Sequence, residues 1–291
     1  NNELTFLDVS ANTELTELIC SNNILTSLDV SANTALTELI CDKNQLTTLD
    51  VSHNTALTEL ICSNNVLTSL DVSANTALTY LRCGDNPLLS VNAAGTIDYF
   101  DAPNLTAFTA DSPIIRLADY GILADRIRNK NGCSVSVNRE YLLLTGEGEA
   151  TYTYNVDGTN TMTVSIRHPG GIAINADNFP DDAFRTYVND NIDTNKDTVL
   201  TADEIEAVAE ISVTGRGIAD LTGVEHFVFL TDLYCYENLL ESLDVSHNTA
   251  LTILYCYDNQ LKSLDVSHNT ALTLLYCYNN LLTELDVTKN T

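Results

Sequence analysis

Between residues 193 and 204 the chain carries oxygen donors at spaced positions: Asp193, Asn195 and Asp197, then Val199, Thr201 and Glu204. Calcium takes about six to eight oxygens, and this spacing lets one short loop wrap one ion. Asp193, Asn195 and Asp197 would give side-chain oxygens, Val199 its carbonyl, Thr201 a direct or water-bridged oxygen, and Glu204 both oxygens of its carboxylate. Leu200 takes the inward apolar slot between them. Thr198 departs from the pattern, because the sharp turn there calls for a glycine at positive φ and a β-branched residue is strained. The competing expectation is a calcium-free acidic loop. A second candidate site lies further on, where Tyr234, Tyr255 and Tyr276 recur in one phase and Tyr236, Tyr257 and Tyr278 in another. Tyrosine offers a flat amphipathic surface for sugar rings or for a protein partner. Stacking that merely stabilises a repeat would produce the same pattern.

Two helical patterns must position the acidic loop. Phe184, Tyr187, Val188 and Ile192 share one face of the first, with Asp181 and Asp182 at its favourable N-terminal end. Thr201 and Glu204 form a capping box at the start of the second, followed by Ile205 and Val208. The whole reads as an EF-hand-like helix-loop-helix.

A 21-residue repeat positions the tyrosines. Cys20, Cys41, Cys62 and Cys83, then Cys235, Cys256 and Cys277, fall in identical phase. Each copy is two half-coils, such as Leu15, Leu18, Cys20, Asn23 and Leu25, Leu28, Val30, Asn33. Period-2 placement of Leu18 and Cys20, or Leu28 and Val30, predicts a short strand in each half with alternate side chains inward. By that alternation all six tyrosines point outward, where the first array has Ile19, Ile40 and Ile61 with Ser21, Asp42 and Ser63. So short a repeat cannot bury its apolar face alone, and stacking on neighbours must supply the core.

These residues resemble the bacterial leucine-rich repeats of the 21-residue type, Leu-x-x-Leu-x-Cys-x-x-Asn-x-Leu-x-x-Leu-Asp-Val-Ser-x-Asn, over residues 4–91 and 230–291. The resemblance implies a curved parallel-β solenoid that serves binding rather than catalysis. It also implies that Asn178-Phe179-Pro180-Asp181 and the loop after it hold a structural ion before the first repeat.

The expected fold is therefore mainly β: a parallel-β leucine-rich-repeat solenoid in two arrays. Residues 1–91 form array one, and 92–168 form degenerate coils plus a small β exit cap. Pro169-Gly170-Gly171 is a linker, 172–210 the EF-hand-like cap that opens the next array, and 211–291 array two. Within 92–168 the degenerate coils run through Ile97, Phe100 and Ala102, then Leu105, Phe108 and Ala110. A helix-compatible stretch at 117–127 follows, and alternating strands near 133–137, 141–145, 149–155 and 161–167. Both chain ends cut through regular coils, which suggests a fragment of a longer tandem protein or an end-to-end assembly.

Composition narrows the function classes. The net charge of −27, from 40 acidic against 13 basic residues, argues against nucleic acid and anionic membranes as partners. No stretch is apolar enough for a membrane span. Disulfides are disfavoured because stacked cysteines on coils about 4.8 Å apart run parallel instead of converging. A zinc site is disfavoured because no Cys-x-x-Cys pair occurs. Outward Asp8, Asp29, Asp50, Asp71, Asp244, Asp265 and Asp286 would repel by roughly 1 kcal/mol per neighbour, so local hydrogen bonds or bound cations must offset them. Asn23, Asn44, Asn65, Asn86, Asn238, Asn259 and Asn280 should satisfy backbone groups at each turn, and His53, His247 and His268 should lie on the surface. Metalloprotease, serine-hydrolase and phosphate-loop signatures are missing. The expected protein is a non-enzymatic extracellular or cell-surface binder of a protein or glycan, with a Ca2+ site. The alternative is a calcium-stabilised rod or filament built by end-to-end self-association.

Overall fold

The computed structural model describes residues 2–101, 108–145, 148–168 and 170–290. The chain divides into two compact units, Asn1–Pro169 and Gly170–Thr291.

In the first unit, strands Glu17–Ile19, Glu38–Ile40, Glu59–Ile61, Tyr80–Arg82 and Tyr99–Asp101 lie side by side in sequence order as one five-stranded parallel sheet. Leu18 pairs with Leu39 and Leu39 with Leu60, so the register is the repeat itself. Leu25, Val30, Leu39, Cys41, Leu46, Val51, Leu60 and Cys62 are buried between coils. Each such leucine or valine contributes about 1.5–3 kcal/mol by leaving water.

The second half-coil differs from the expectation. Among the described residues it pairs as a strand only where Ser69–Val72 meets Ser90–Ala93. Elsewhere residues such as 28–30 run without ladder pairing into a turn at 31–32, and other donors take the carbonyl at the end of the run. Asn33 N–H donates to Val30 O at 3.0 Å, and the Asn54 amide donates to Val30 O and Asn33 O, both at 2.9 Å.

The other buried asparagines act as expected. Asn44 Nδ2 donates to Cys20 O and Cys41 O at 3.1 Å while its Oδ1 accepts from Leu25 N–H at 3.1 Å. Local hydrogen bonding also holds the aspartate column: each of the seven Oδ1 atoms accepts the N–H two residues on, at 2.8 or 2.9 Å. The cysteines are free thiols, buried except for the half-buried Cys277. His53, His247 and His268 are exposed.

Beyond the regular coils, Ile97 and Ala110 are buried and Phe100 and Phe108 partly so. Ala102, Leu105 and Pro169 lie outside the described residues. Strands Ile127–Asn131, Gly148–Asn155, Thr161–His168 and Phe108–Thr109 form one sheet, and Cys133–Val135, Tyr141–Leu144 and Ile114–Arg116 another. The helix-compatible stretch is two 3-10 turns, Leu117–Tyr120 and Ala124–Arg126. Gly121, at φ 59°, stops the first in a left-handed conformation that glycine adopts freely. The module closes the array with polar contacts: Tyr152 Oη donates to Leu89 O and Tyr154 Oη to Asn92 Oδ1, both at 2.8 Å, and Ser90 Oγ donates to Tyr120 O at 2.6 Å.

In the second unit, Ile172–Ala173 pairs antiparallel with Val199–Leu200. Helix α1 spans Asp182–Asn191 and helix α2 Ala202–Glu206. Asp181 is the N-cap of α1, its Oδ1 accepting from Ala183 and Phe184 N–H, while its Oδ2 accepts Ala219 N–H at 2.9 Å and so ties the cap to the first coil. Gly171, expected in a linker, is packed: a Cβ there would lie 2.2 Å from Leu200 O. Strands Glu210–Ser212, Asp232–Tyr234, Ile253–Tyr255 and Leu274–Tyr276 then form a four-stranded parallel sheet. Phe179, Phe184 and Phe227 fill the space between cap and coils, all fully buried. Among the described residues no helix is long and apolar enough to cross a membrane.

Candidate functional site

The register of the second sheet sets Tyr234 beside Tyr255 and Tyr255 beside Tyr276. Leu233, Leu254, Cys235 and Cys256 point into the core, so the residues between them face out. The columns stack closely. Tyr255 and Tyr276 have ring centroids 4.3 Å apart and planes within 5°; Tyr236 and Tyr257 are at 4.4 Å and 9°, and Tyr257 and Tyr278 at 4.6 Å and 11°. Tyr234 instead meets Tyr255 edge-on at 5.2 Å and 78°. Tyr276 and Tyr278 are 44% and 56% exposed, and the other four are half-buried. Burial first, then the neighbouring Tyr236 and Tyr278 and a hydroxyl bond to Tyr236, push Tyr257 up to about 12. Burial, Asp232 and Glu210 raise Tyr234. These two phenols stay neutral at physiological pH.

The first unit carries a smaller counterpart that the spacing did not reveal. Tyr80 and Tyr99 stack at 4.5 Å and 7° beside the Arg82–Asp101 ion pair at 3.2 Å. Tyr99 lies 19 residues after Tyr80 instead of 21, so the degenerate coil hid the pairing. The tyrosine at a phase otherwise held by Glu17, Glu38 and Glu59 was the available signal.

In the acidic loop, Asp193 is fully buried. Its Oδ1 accepts Lys196 N–H at 2.7 Å and its Oδ2 Thr198 N–H at 2.9 Å. Thr198 adopts φ 66°, the left-handed turn expected of this position. Asn195 Oδ1 accepts Asp197 N–H, and Asp197 Oδ1 accepts Val199 N–H. Glu204 completes the capping box with Thr201. One of its oxygens accepts the N–H and hydroxyl of Thr194 at 2.8 and 2.6 Å, and the other those of Thr201, both at 2.9 Å. Burial pushes this carboxyl up, but the bonds from Thr194 and Thr201 outweigh it and hold the pKa at about 2. Thr194 was not among the expected site residues, although it occupies the loop's second position. The donors are of the kind a hard cation takes and the backbone turn has the right hand. Their carboxylates are nevertheless turned to the loop's own N–H and hydroxyl groups. Among the described residues no three His, Cys, Asp or Glu side chains are gathered as a metal-holding group.

No protein-family model matches the chain, and no curated protein does. Among solved structures it is similar to the functional domain of InlJ from Listeria monocytogenes, described as including a cysteine ladder. The identity is 26% over 100% of this chain and 59% of that one, with a TM-score of 0.29. An internalin, InlF, of Listeria monocytogenes shares 16% identity over 95% of this chain and 64% of its own, at TM-score 0.28. A leucine-rich-repeat protein of Leptospira interrogans shares 18% over 97% and 60%, at 0.30. The chain spans about three fifths of the length of these structures. The parallel-β solenoid rests on the coil-by-coil register described above.

Proposed function

We propose that the chain belongs to a non-enzymatic extracellular or cell-surface repeat protein that binds another macromolecule through its solenoid faces. The contact is the pair of tyrosine columns in the second unit. The observation that carries this reading is that six tyrosines occupy outward positions of a coil whose core does not require them. Large exposed aromatic surface is the usual anchor of an interface. Replacing Tyr234, Tyr255 and Tyr276 with Ser should abolish binding to immobilised purified surface proteins or glycans while circular dichroism stays unchanged. Equal binding by the variant would sink the assignment.

We further propose a structural calcium ion in the cap, held by Asp193, Asn195, Asp197, Val199, Thr201 and Glu204. The donor types and the left-handed turn at Thr198 support it. Bound there, the ion would offset two of the three negative charges on Asp193, Asp197 and Glu204. Glu204 must give up one hydrogen bond on each oxygen to take part, which predicts modest affinity suited to a calcium-rich extracellular medium. Titration calorimetry with calcium chloride should give heat that Asp193→Ala removes. An absence of heat at millimolar calcium, with an unchanged melting temperature in EGTA, would refute the site.

A further inference from the structure

On the reading that the tyrosine columns are the contact, the stacking within them decides which chemistry can dock. A sugar ring binds tyrosine by laying its C–H face on an open aromatic face. Here half of those faces are taken, since three stacked contacts cover two faces each of the twelve. Tyr257 has Tyr236 against one face at 4.4 Å and Tyr278 against the other at 4.6 Å, and Tyr255 has Tyr276 at 4.3 Å. At these separations and near-parallel planes no third ring fits between neighbours. The outer side of the columns is left with ring edges and phenol hydroxyls, repeated about every 4.8 Å along the sheet.

The surroundings of the columns are acidic. Asp232 and Glu210 border Tyr234, and Glu237 borders Tyr257. Asp258 follows directly on Tyr257, and residues 170–291 together hold 20 acidic against 5 basic side chains. Among the described residues, none of the ion pairs involves Glu210, Asp232, Glu237 or Asp258. A hydroxyl-fringed row rimmed by carboxylates that make no ion pair attracts positive charge and donors, and repels an acidic partner.

We propose that the tyrosine columns dock a protein through its basic side chains, with Lys or Arg meeting the hydroxyl edge and the carboxylate rim, and that they do not bind a glycan by ring stacking. The probes are a fluorescein-labelled alternating Arg-Thr decapeptide, cellohexaose and chitohexaose, titrated against the full chain. The peptide should bind. Tyr236→Phe/Tyr257→Phe/Tyr278→Phe, which keeps the rings and removes the hydroxyls, should weaken it by about tenfold. Asp232→Asn with Glu237→Gln should weaken it several-fold, as should raising salt from about 50 to about 300 mM. Ile19→Ser/Ile40→Ser/Ile61→Ser should leave it unchanged.

Sugar binding that the Phe variant retains and the Tyr234→Ser/Tyr255→Ser/Tyr276→Ser variant loses would overturn the basic-protein inference while leaving the tyrosine contact standing. Peptide affinity indifferent to both tyrosine variants would mean attraction to overall charge, and would overturn the inference too. If no probe responds to any tyrosine variant, the contact reading falls with it. Circular dichroism of each variant separates these outcomes from loss of fold.

Discussion

The outward strand faces of the two units are built on one coil and carry different chemistry. The first presents Glu17, Glu38 and Glu59 beside Ile19, Ile40 and Ile61; the second presents Asp232, Ile253 and Leu274 beside two tyrosine columns. Inward, the two are alike: Leu39, Cys41 and Asn44 in one have counterparts in Leu254, Cys256 and Asn259 in the other, with the same hydrogen bonds. Packing and buried amides constrain the inward set, so variation is confined to positions that touch solvent or a partner. The glutamate column even opposes itself: burial and the adjacent Glu17 and Glu59 raise Glu38.

The sharpest test of the shared core is Asn65→Ala against Asn259→Ala. Each strips buried partners from two cysteine carbonyls and one leucine N–H, so each should destabilise its unit by about 3–5 kcal/mol. Hydrogen exchange read by mass spectrometry follows the units separately, and losses differing by more than about 1 kcal/mol would break the equivalence.

Glu204→Ala comes next, since only the second unit has this cap. It should cost about 2–3 kcal/mol there and nothing in the first unit, by the same measurement. A folded pKa of about 2 lies below the ordinary 4.5. The carboxylate's contribution is thus complete above about pH 4.5 and fades as pH falls toward 2. Glu204→Gln should flatten the acid limb of the second unit's melting curve; an unaltered limb would show that Glu204 does not govern it.

Thr198→Gly should stabilise the second unit by about 1 kcal/mol, because a threonine at φ 66° is strained by about 1–2 kcal/mol and glycine's added chain entropy returns only part of that. The coils place Asn22, Asn64 and Asn279 in the same backbone region, which asparagine tolerates better. A lower melting temperature for the glycine variant would mean that the Thr198 side chain, whose hydroxyl donates to Asp197 O at 2.6 Å, outweighs the strain.

Smallest of all should be the transplant Ile19→Tyr/Ile40→Tyr/Ile61→Tyr. These positions face out, so stability should shift by less than about 1 kcal/mol in either direction. Near-ultraviolet circular dichroism should gain a stacked-tyrosine signal. A large loss of stability would show that the outward face of array one is part of its fold after all.

Much of this was legible beforehand. The phase of Leu18, Cys20 and Asn23 predicted the stacked coils, and Thr201 with Glu204 predicted the capping box that is present. The strand expected of the second half-coil was not formed along most of the array: Leu28 and Val30 are buried in the expected alternation, but no ladder joins them to the next coil, and Asn54 and the local turn take the Val30 carbonyl. The loop's donor set was likewise readable, but the engagement of Glu204 by Thr194, ten residues away, was not.

A strict 21-residue period determined, by itself, which side chains face inward and which residue neighbours which on the next coil, since burial and register act through nearest repeats. Only the tertiary structure decided how those neighbours meet. Tyr255 lies flat on Tyr276 but edge-on to Tyr234. Tyr152 reaches back across 63 residues to Leu89, and Asp181 across 38 to Ala219. Ring tilt and long-range closure depend on how packed surfaces fit together, and a local pattern of residue types does not encode that fit.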